Sequence, residues 1–367
     1  MMSGSQPMNS NSLGSLRYAW PGVLGSLLLF SSGCRDDRDG ANPEAQIWRF
    51  AIEEAVGSVQ HAYAQEFKRR IESRSAGRIK VVVYPYGALG TSTQITEQLN
   101  LGAIELAMAS PGAIGKFIPE TQVFLLHFVL ADDDWINQQV LAAPRVLATF
   151  DAMYAKKGLK LLSIFPEGAM VWTTQREIRA PEDFARVKMR VMTSPILIDA
   201  YAAYGASPTP LPYSEVYSAL QLGMVDAQVN PVFAIERQKF HEVTEWLIFP
   251  GHAHFVTTAA ANRDFYQSLS IEDRELVDTT VADLNDFVFQ RQREFQTERL
   301  KTIIRDKKRR GITLNICGDL STFVESLTAA ERAELIDKNE HLNLTPPLTY
   351  VERRRFIDAS QPVSETF

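Results

Sequence analysis

Apolar and polar positions along this chain follow two alternating periods. Residues 47–52 (IWRFAI) and 79–84 (IKVVVY) are short apolar runs rich in β-branched and aromatic side chains, which predicts strands. Between them Tyr63, Phe67 and Ile71 recur at helical spacing, predicting a helix over 58–73 that Ser75-Ala76-Gly77 closes. A helix over 92–101 and a strand over 104–108 follow. The pattern continues with a long helical stretch (133–157), strands at 159–165 and from Trp172, and a strand at 188–192. Helices at 194–204 and 213–222 flank a Gly/Pro-rich turn from Gly205 to Pro212. A strand at 225–229, a helix at 231–241 and strands at 246–249 and 255–261 come next. From residue 270 the signal is helical to about 309, with a strand candidate at 312–316 and further helix over 321–358, interrupted at 342–347. Strands alternating with helices predict βαβ units and parallel pairing. The coarse result is an α/β chain of two lobes joined by extended segments and braced by C-terminal helices.

Composition narrows the class. The 367 residues suffice for two cores. A net charge of -6 with no basic stripe argues against a nucleic-acid partner. Arg17 precedes a largely apolar run from Ala19 to Phe30, and Ser31-Ser32-Gly33-Cys34 closes it. This reads as an export leader over residues 1–34, and its end resembles a bacterial lipoprotein cleavage site with Cys34 as the acylated first residue. Residues 35–46 are charged and contain Pro and Gly, as a flexible tether would be. The apolar run is too short for a comfortable membrane span, and nothing later is apolar for long enough. The mature chain is therefore expected to be exported and held to a membrane at most by lipid. Cys317, in an apolar run, is expected to be a buried thiol.

Enzyme signatures are missing: there is no G-x-G-x-x-G, no Walker loop, no H-E-x-x-H and no G-x-S-x-G. No cofactor is expected. His252 and His254 are spaced for one strand face, but no further ligand lies nearby in sequence. Glu53 and Glu54 are adjacent, and neighbours on a strand point to opposite faces, so they make a poor acid/base pair. The informative segment runs from Lys188 to Pro231. There Arg190 stands in an apolar strand-like run between Met189 and Val191. A guanidinium is costly to bury without an anion, and it is the side chain best shaped to grip a carboxylate through two parallel hydrogen bonds. The alternative is a structural ion pair with Glu215 or Asp226.

Further text carries a resemblance. It comprises Tyr84-Pro85 with Ala88-Leu89-Gly90, EQLNLGAIELA over 97–107, Arg190-Val191, GASPTP over 205–210, SEVY over 214–217, and VDAQVNP over 225–231 followed by KFHEV over 239–243. In that order and spacing the chain resembles the solute-binding subunit of tripartite ATP-independent periplasmic (TRAP) transporters, the DctP type, over roughly residues 47–310. The resemblance implies a periplasmic-binding-protein-like fold: two α/β lobes, with a long helix spanning both. It implies no enzymatic activity, and a receptor that passes its ligand to membrane permease subunits driven by an ion gradient. It also implies that Arg190 bridges the ligand carboxylate, that Asn230 contributes to the pocket, and that Tyr213 forms a pocket wall. Where sialic-acid-type members carry a second arginine, this chain has Met170, which argues for a smaller, less hydroxylated monocarboxylate.

The expected ligand set is Arg190, Asn230, Tyr213, Trp172, Met170, Glu53, Ser110 and Glu215, with no metal. Core packing is the competing reading for Trp172 and Met170, a helix staple for Tyr213, a helix cap for Asn230 and a pairing within its own lobe for Glu215. The expected division is 47–166 plus 254–295 as the first lobe, 167–253 as the second, and 296–367 as C-terminal helices packing on both. Hinges are expected near 165–168 and 251–255. A lipid-tethered sensor, and an enzyme acting on an organic acid, are the alternative functions.

Overall fold

The strands assemble into two sheets, each built from distant parts of the chain. The computed structural model describes residues 45–367; the leader, Cys34 and the tether up to residue 44 lie outside the described residues. The strands are β1 (Gln46–Ala51), β2 (Ile79–Tyr84), β3 (Leu106–Ala109), β4 (Leu159–Ala169), β5 (Val171–Thr174) and β6 (Lys188–Val191). They continue with β7 (Ser207–Pro210), β8 (Ala227–Asn230), β9 (Trp246–Ile248), β10 (His254–Asn262), β11 (Leu314–Cys317) and β12 (Leu342–Thr345). The first sheet has the order β2-β1-β3-β10-β4, and the second β12-β11-β9-β5-β8-β6-β7.

Alternation fixes which side chains fill each face. In the first sheet Phe50 and Met108 join one apolar cluster, while Ala51, Ala107 and Ala109 join the cluster on the other side. In the second sheet Trp172, Val229 and Ile248 point one way, and Val171 and Leu247 the other. Both sheets are thus covered on both faces, as α/β layers require.

The pairing is mixed, not wholly parallel. β1 pairs in parallel with β2 and β3, but β10 runs antiparallel to both β3 and β4. Likewise β5 runs antiparallel to β8 and β9. The reversed strands are those next to the crossings, where the chain leaves one sheet and enters the other. β4 passes through Met170 directly into β5, and residues 249–253 connect β9 back to β10.

The third connection is the helix Ile271–Arg309, 39 residues long. Ser270 caps it by accepting from the Asp273 N–H. Acidic Glu272 and Asp273 occupy its first turn, and Lys307, Lys308 and Arg309 its last, each complementing the macrodipole. Its early residues Val277, Val281, Leu284 and Val288 pack into the core of the first sheet. Leu300, Ile303 and Ile304 pack into that of the second. One rigid rod therefore braces both lobes, and it runs through residue 295, where a domain limit was expected. Residues 296–367 also contribute more than helices, because β11 and β12 extend the second sheet through parallel pairs.

Two further local differences have plain causes. The helix expected over 133–157 is two helices, Asp134–Leu141 and Pro144–Ala155, because Pro144 lacks an N–H and occupies the first turn of the second. The Gly/Pro-rich turn contains β7, which pairs with β6 only and so forms a sheet edge. Pro208 and Pro210 are tolerated there because an edge strand need not donate on both sides. Cys317 is buried and unpaired.

At the first crossing Gly168 adopts φ +125, and a Cβ there would lie 1.9 Å from Nε2 of Gln296 on the long helix. Gly168→Ala is expected to destabilise the protein by roughly 1–3 kcal/mol through backbone strain. Urea unfolding should show a lower midpoint with an unchanged slope.

Candidate functional site

β6 places Arg190 on the sheet face opposite Trp172. Cross-strand partners share a face, so Arg190, its partner Gln228 and, two residues on, Asn230 line up together, while Trp172 and its partner Val229 point the other way. Arg190 reaches a cavity of about 170 Å³ that both sheets line. From the second sheet come Arg190, Met192, Thr193, Asn230 and the Leu211–Tyr213 loop. From the first come Glu53, Glu54, Tyr86, Ser110 and Lys116, with Phe255 at the second crossing. Strand carboxyl ends facing a crevice are where open α/β sheets bind ligands.

Arg190 is 2% exposed. Its Nε and Nη2 donate to the Leu211 carbonyl at 3.1 and 2.7 Å. No carboxylate lies within ion-pair distance of it among the described residues. Asp226, a candidate structural partner, instead accepts the Lys188 N–H at 2.9 Å and faces the Lys188 ammonium at 3.8 Å. Burial lowers the Arg190 pKa to about 10 against the opposing pull of Tyr213 and Tyr86. The group stays charged at neutral pH, aimed into a cavity and answered by one backbone oxygen.

Glu53 and Glu54 follow the end of β1, at a bend, so the alternation of a strand does not separate them and both reach the cavity. Each is 5% exposed. Glu53 accepts the Ser110 N–H at 2.5 Å, and its own N–H donates to Oε1 of Gln60 at 3.0 Å. Burial, only partly offset by these hydrogen bonds, pushes the Glu53 carboxyl up to about 7. Glu54 lies well above the usual carboxylate range, through burial first and then the neighbouring Glu167 and Glu53. Tyr86 and Tyr213 meet edge to face across the lobes, with ring centroids 5.6 Å apart. Asn230 donates to Oε1 of Gln228 at 2.5 Å, which leaves its own oxygen free to accept. Ser110 donates its hydroxyl toward the Met192 sulfur at 3.8 Å.

Five of the eight expected residues thus share one cavity: Arg190, Asn230, Tyr213, Glu53 and Ser110. Three do not. Trp172 is fully buried, its indole N–H bonded to Tyr201 at 2.9 Å and His252 at 3.2 Å in an aromatic core with Phe184 and Phe356. Met170 lines a separate cavity of about 20 Å³ behind Phe255 and Met192. Glu215 is exposed on the short turn Tyr213–Glu215. Sequence reading missed Glu54, Tyr86, Lys116 and Phe255. Only Glu54 carried a signal, its place beside Glu53, and strand alternation concealed it.

The family model for bacterial extracellular solute-binding proteins, family 7 (DctP), matches residues 50–337. The ectoine/5-hydroxyectoine-binding periplasmic protein UehA of Ruegeria pomeroyi is 38% identical over 80% of this chain and 86% of its own length. The ectoine-binding periplasmic protein TeaA of Halomonas elongata is 42% identical over 63% of this chain and 67% of its own. The solved structure of the periplasmic ectoine-binding protein of the Halomonas elongata TeaABC TRAP transporter superposes with a TM-score of 0.73 at 33% identity, covering 88% of this chain and 93% of that one. An apo, open TRAP solute-binding protein from Marinobacter aquaeolei gives 0.73 at 37% identity, covering 87% and 94%.

An unpaired buried cation is a burden on the empty protein. Arg190→Met is expected to stabilise the ligand-free protein by about 1–3 kcal/mol. Denaturant unfolding should show a raised midpoint, whereas an equal or lower one would mean that the two bonds to Leu211 outweigh the desolvation.

Proposed function

The chain belongs to family 7 of the bacterial extracellular solute-binding proteins, and from that membership we propose that it is the receptor for a zwitterionic monocarboxylate of the ectoine type. Its relatives are periplasmic TRAP receptors that hand ligands to membrane permease subunits, and they are binding proteins, not enzymes. The observation that carries the ligand class is the charge layout of one cavity. Arg190 enters from the second lobe with no carboxylate partner; from the first enter Glu53 and Glu54, with no cation paired to either among the described residues, and the exposed Lys116.

A ligand carboxylate fits the Arg190 guanidinium, which keeps Nη1 free of any hydrogen bond among the described residues and can pair with both oxygens. A positively charged or strongly donating group at the far end of the same ligand fits the acidic wall. Tyr86, Tyr213 and Phe255 cover the apolar body between the two ends. This layout supports a molecule with one acid and one cationic group over a dicarboxylate or a sugar acid. Ectoine, a ring carboxylate with a cationic amidine, has this chemistry, and two relatives carry it in their names.

Closure follows from the same geometry. The lobes are joined by β4–β5, by residues 249–253 and by the long helix, so a ligand held at once by Arg190 and by Glu53 or Glu54 favours the closed arrangement. Acylation of Cys34 would hold the receptor at the membrane surface, and metabolic labelling with a fatty acid tests it against a Cys34→Ser variant.

Calorimetry with ectoine, 5-hydroxyectoine, succinate and a sialic acid tests the ligand class. Ectoine or its hydroxylated form is expected to bind, and the other two to give no heat. Arg190→Ala is expected to weaken ectoine binding by at least about 100-fold while leaving the circular dichroism spectrum unchanged. Undiminished affinity in that variant, or a preference for the dicarboxylate, would overturn the assignment.

A further inference from the structure

Behind the cavity wall stands a third acid. Glu167 lies on β4, four residues before the second sheet begins at Val171, and is 0% exposed. It does not line the cavity, yet one side chain ties it to the wall. Gln60 accepts the Glu53 N–H through its carbonyl at 3.0 Å and donates from its amide to Glu167 Oε1 at 3.0 Å and to Thr257 at 3.0 Å. Glu167 Oε2 has no hydrogen-bond partner among the described residues. Three carboxyl groups are therefore gathered around the end of β1 in a water-poor space.

The surrounding elements offer hydroxyls and amides, but among the described residues no cation pairs with any of the three. Ser110 donates its N–H to Glu53 and Gln60 its amide to Glu167, and the hydroxyls of Ser58, Ser92 and Thr257 lie beside the cluster. Tyr154 donates its hydroxyl to Thr258 at 2.8 Å, and Tyr213 lines the same cavity as Glu54. From the long helix Gln292 and Gln296 close over Gly168. The nearby Arg237 and Arg299 pack at Gly57, and Arg299 is paired with Glu236 at 3.2 Å. Arg190 and Lys116 share the cavity, but neither forms an ion pair with these acids.

We infer that Glu167 is a positioning residue that sets the charge of the acidic wall, so that a cationic ligand group binds there only as the Glu53–Glu54–Glu167 cluster gives up a proton. This rests on the reading that a ligand cation meets Glu53 and Glu54. Three carboxylates cannot all be ionised in one dry site without a counter-ion, because like charges and desolvation both oppose it. The empty cluster therefore holds protons at neutral pH, in keeping with the raised values of all three groups. When the ligand cation arrives it supplies the missing charge. One carboxylic O–H bond breaks, its proton passes through the cavity to water, and the carboxylate left behind pairs with the ligand. Glu167 touches no ligand in this scheme. It acts by making ionisation of Glu54 harder, and so determines how much the wall prefers a guest with a full positive charge to one that is merely polar.

Calorimetry of ectoine binding at pH 7 in two buffers of different ionisation heat counts the proton directly. Release of about one proton is expected, with affinity rising by up to about tenfold per pH unit between pH 6 and pH 8. In Glu167→Gln, which keeps the shape and removes the titratable group from the coupled cluster, the proton count should fall and the pH profile should flatten. A purely structural role for Glu167 would instead lower affinity equally at every pH. Ectoine binding with no proton release, or a variant profile parallel to the wild type, overturns the inference. A ligand-free arm separates it from the choice of ligand. A carboxyl whose folded value is raised stabilises at low pH, and that stability is lost as pH rises through the folded value. The melting temperature of the wild type should therefore drop between pH 6 and pH 9, and that of Glu167→Gln should drop less. Parallel melting profiles overturn the proton cluster whether or not ectoine binds. If Glu167→Gln does not fold, the wild-type proton count decides, and a count of zero overturns it.

Discussion

A guanidinium with 2% exposure and a single backbone carbonyl for company is the constraint around which this molecule is organised. Removing a full charge from water is unfavourable unless an opposite charge replaces the solvent. Here none of the described residues supplies it. The protein keeps Arg190 dry with strand β6 beneath it and the Leu211–Tyr213 loop above it, and leaves one direction open, into the cavity. The rest of the fold serves to hold that arrangement without letting an internal acid quench it. Asp226, close in sequence space, is occupied by Lys188, and Glu215 faces solvent.

The first lobe presents the complementary problem. Glu53, Glu54 and Glu167 are buried together with no basic side chain paired to them among the described residues, and Gln60 joins the Glu53 main-chain N–H to the Glu167 carboxyl, which it supports with one neutral donor. An uncompensated cation on one lobe and uncompensated acids on the other would neutralise each other if they touched. They belong to separate sheets, and a cavity of about 170 Å³ lies between. On the proposed reading, a guest with both charges resolves both at once. Selectivity then follows from what is left unpaired when the wrong guest enters, since buried polar groups penalise a ligand that cannot satisfy them.

The mechanical frame matches this division of charge. The chain crosses between sheets by two short segments next to reversed strands, and the long helix gives its first half to one core and its second half to the other. Such a frame gives each lobe its own core while the two crossings and the helix hold the lobes around the cavity. Glu167 and Gly168 sit where β4 leaves the first sheet, so the acid that tunes the wall also stands beside the crossing.

Much of this was legible in the amino-acid order. Periodicity located β2 residue for residue and the helix from residue 270 to 309, because long amphipathic patterns and β-branched runs are local signals. An arginine in an apolar strand announced a charge in need of a partner, since the energy of burying that side chain does not depend on where the strand goes. Other features could not be read there. Trp172 and Met170 neighbour the pocket in sequence pattern but lie on the other face or behind it, and only strand register decides the face. Glu53 and Glu54 looked as if they pointed apart, because alternation was assumed to continue past Ala51, where the strand ends. The sequence by itself determined two α/β lobes and one charge in need of a partner. Tertiary structure alone decided which acids stay away from that charge and which gather opposite it, because that depends on contacts between residues more than 100 positions apart, such as Gln60 and Glu167.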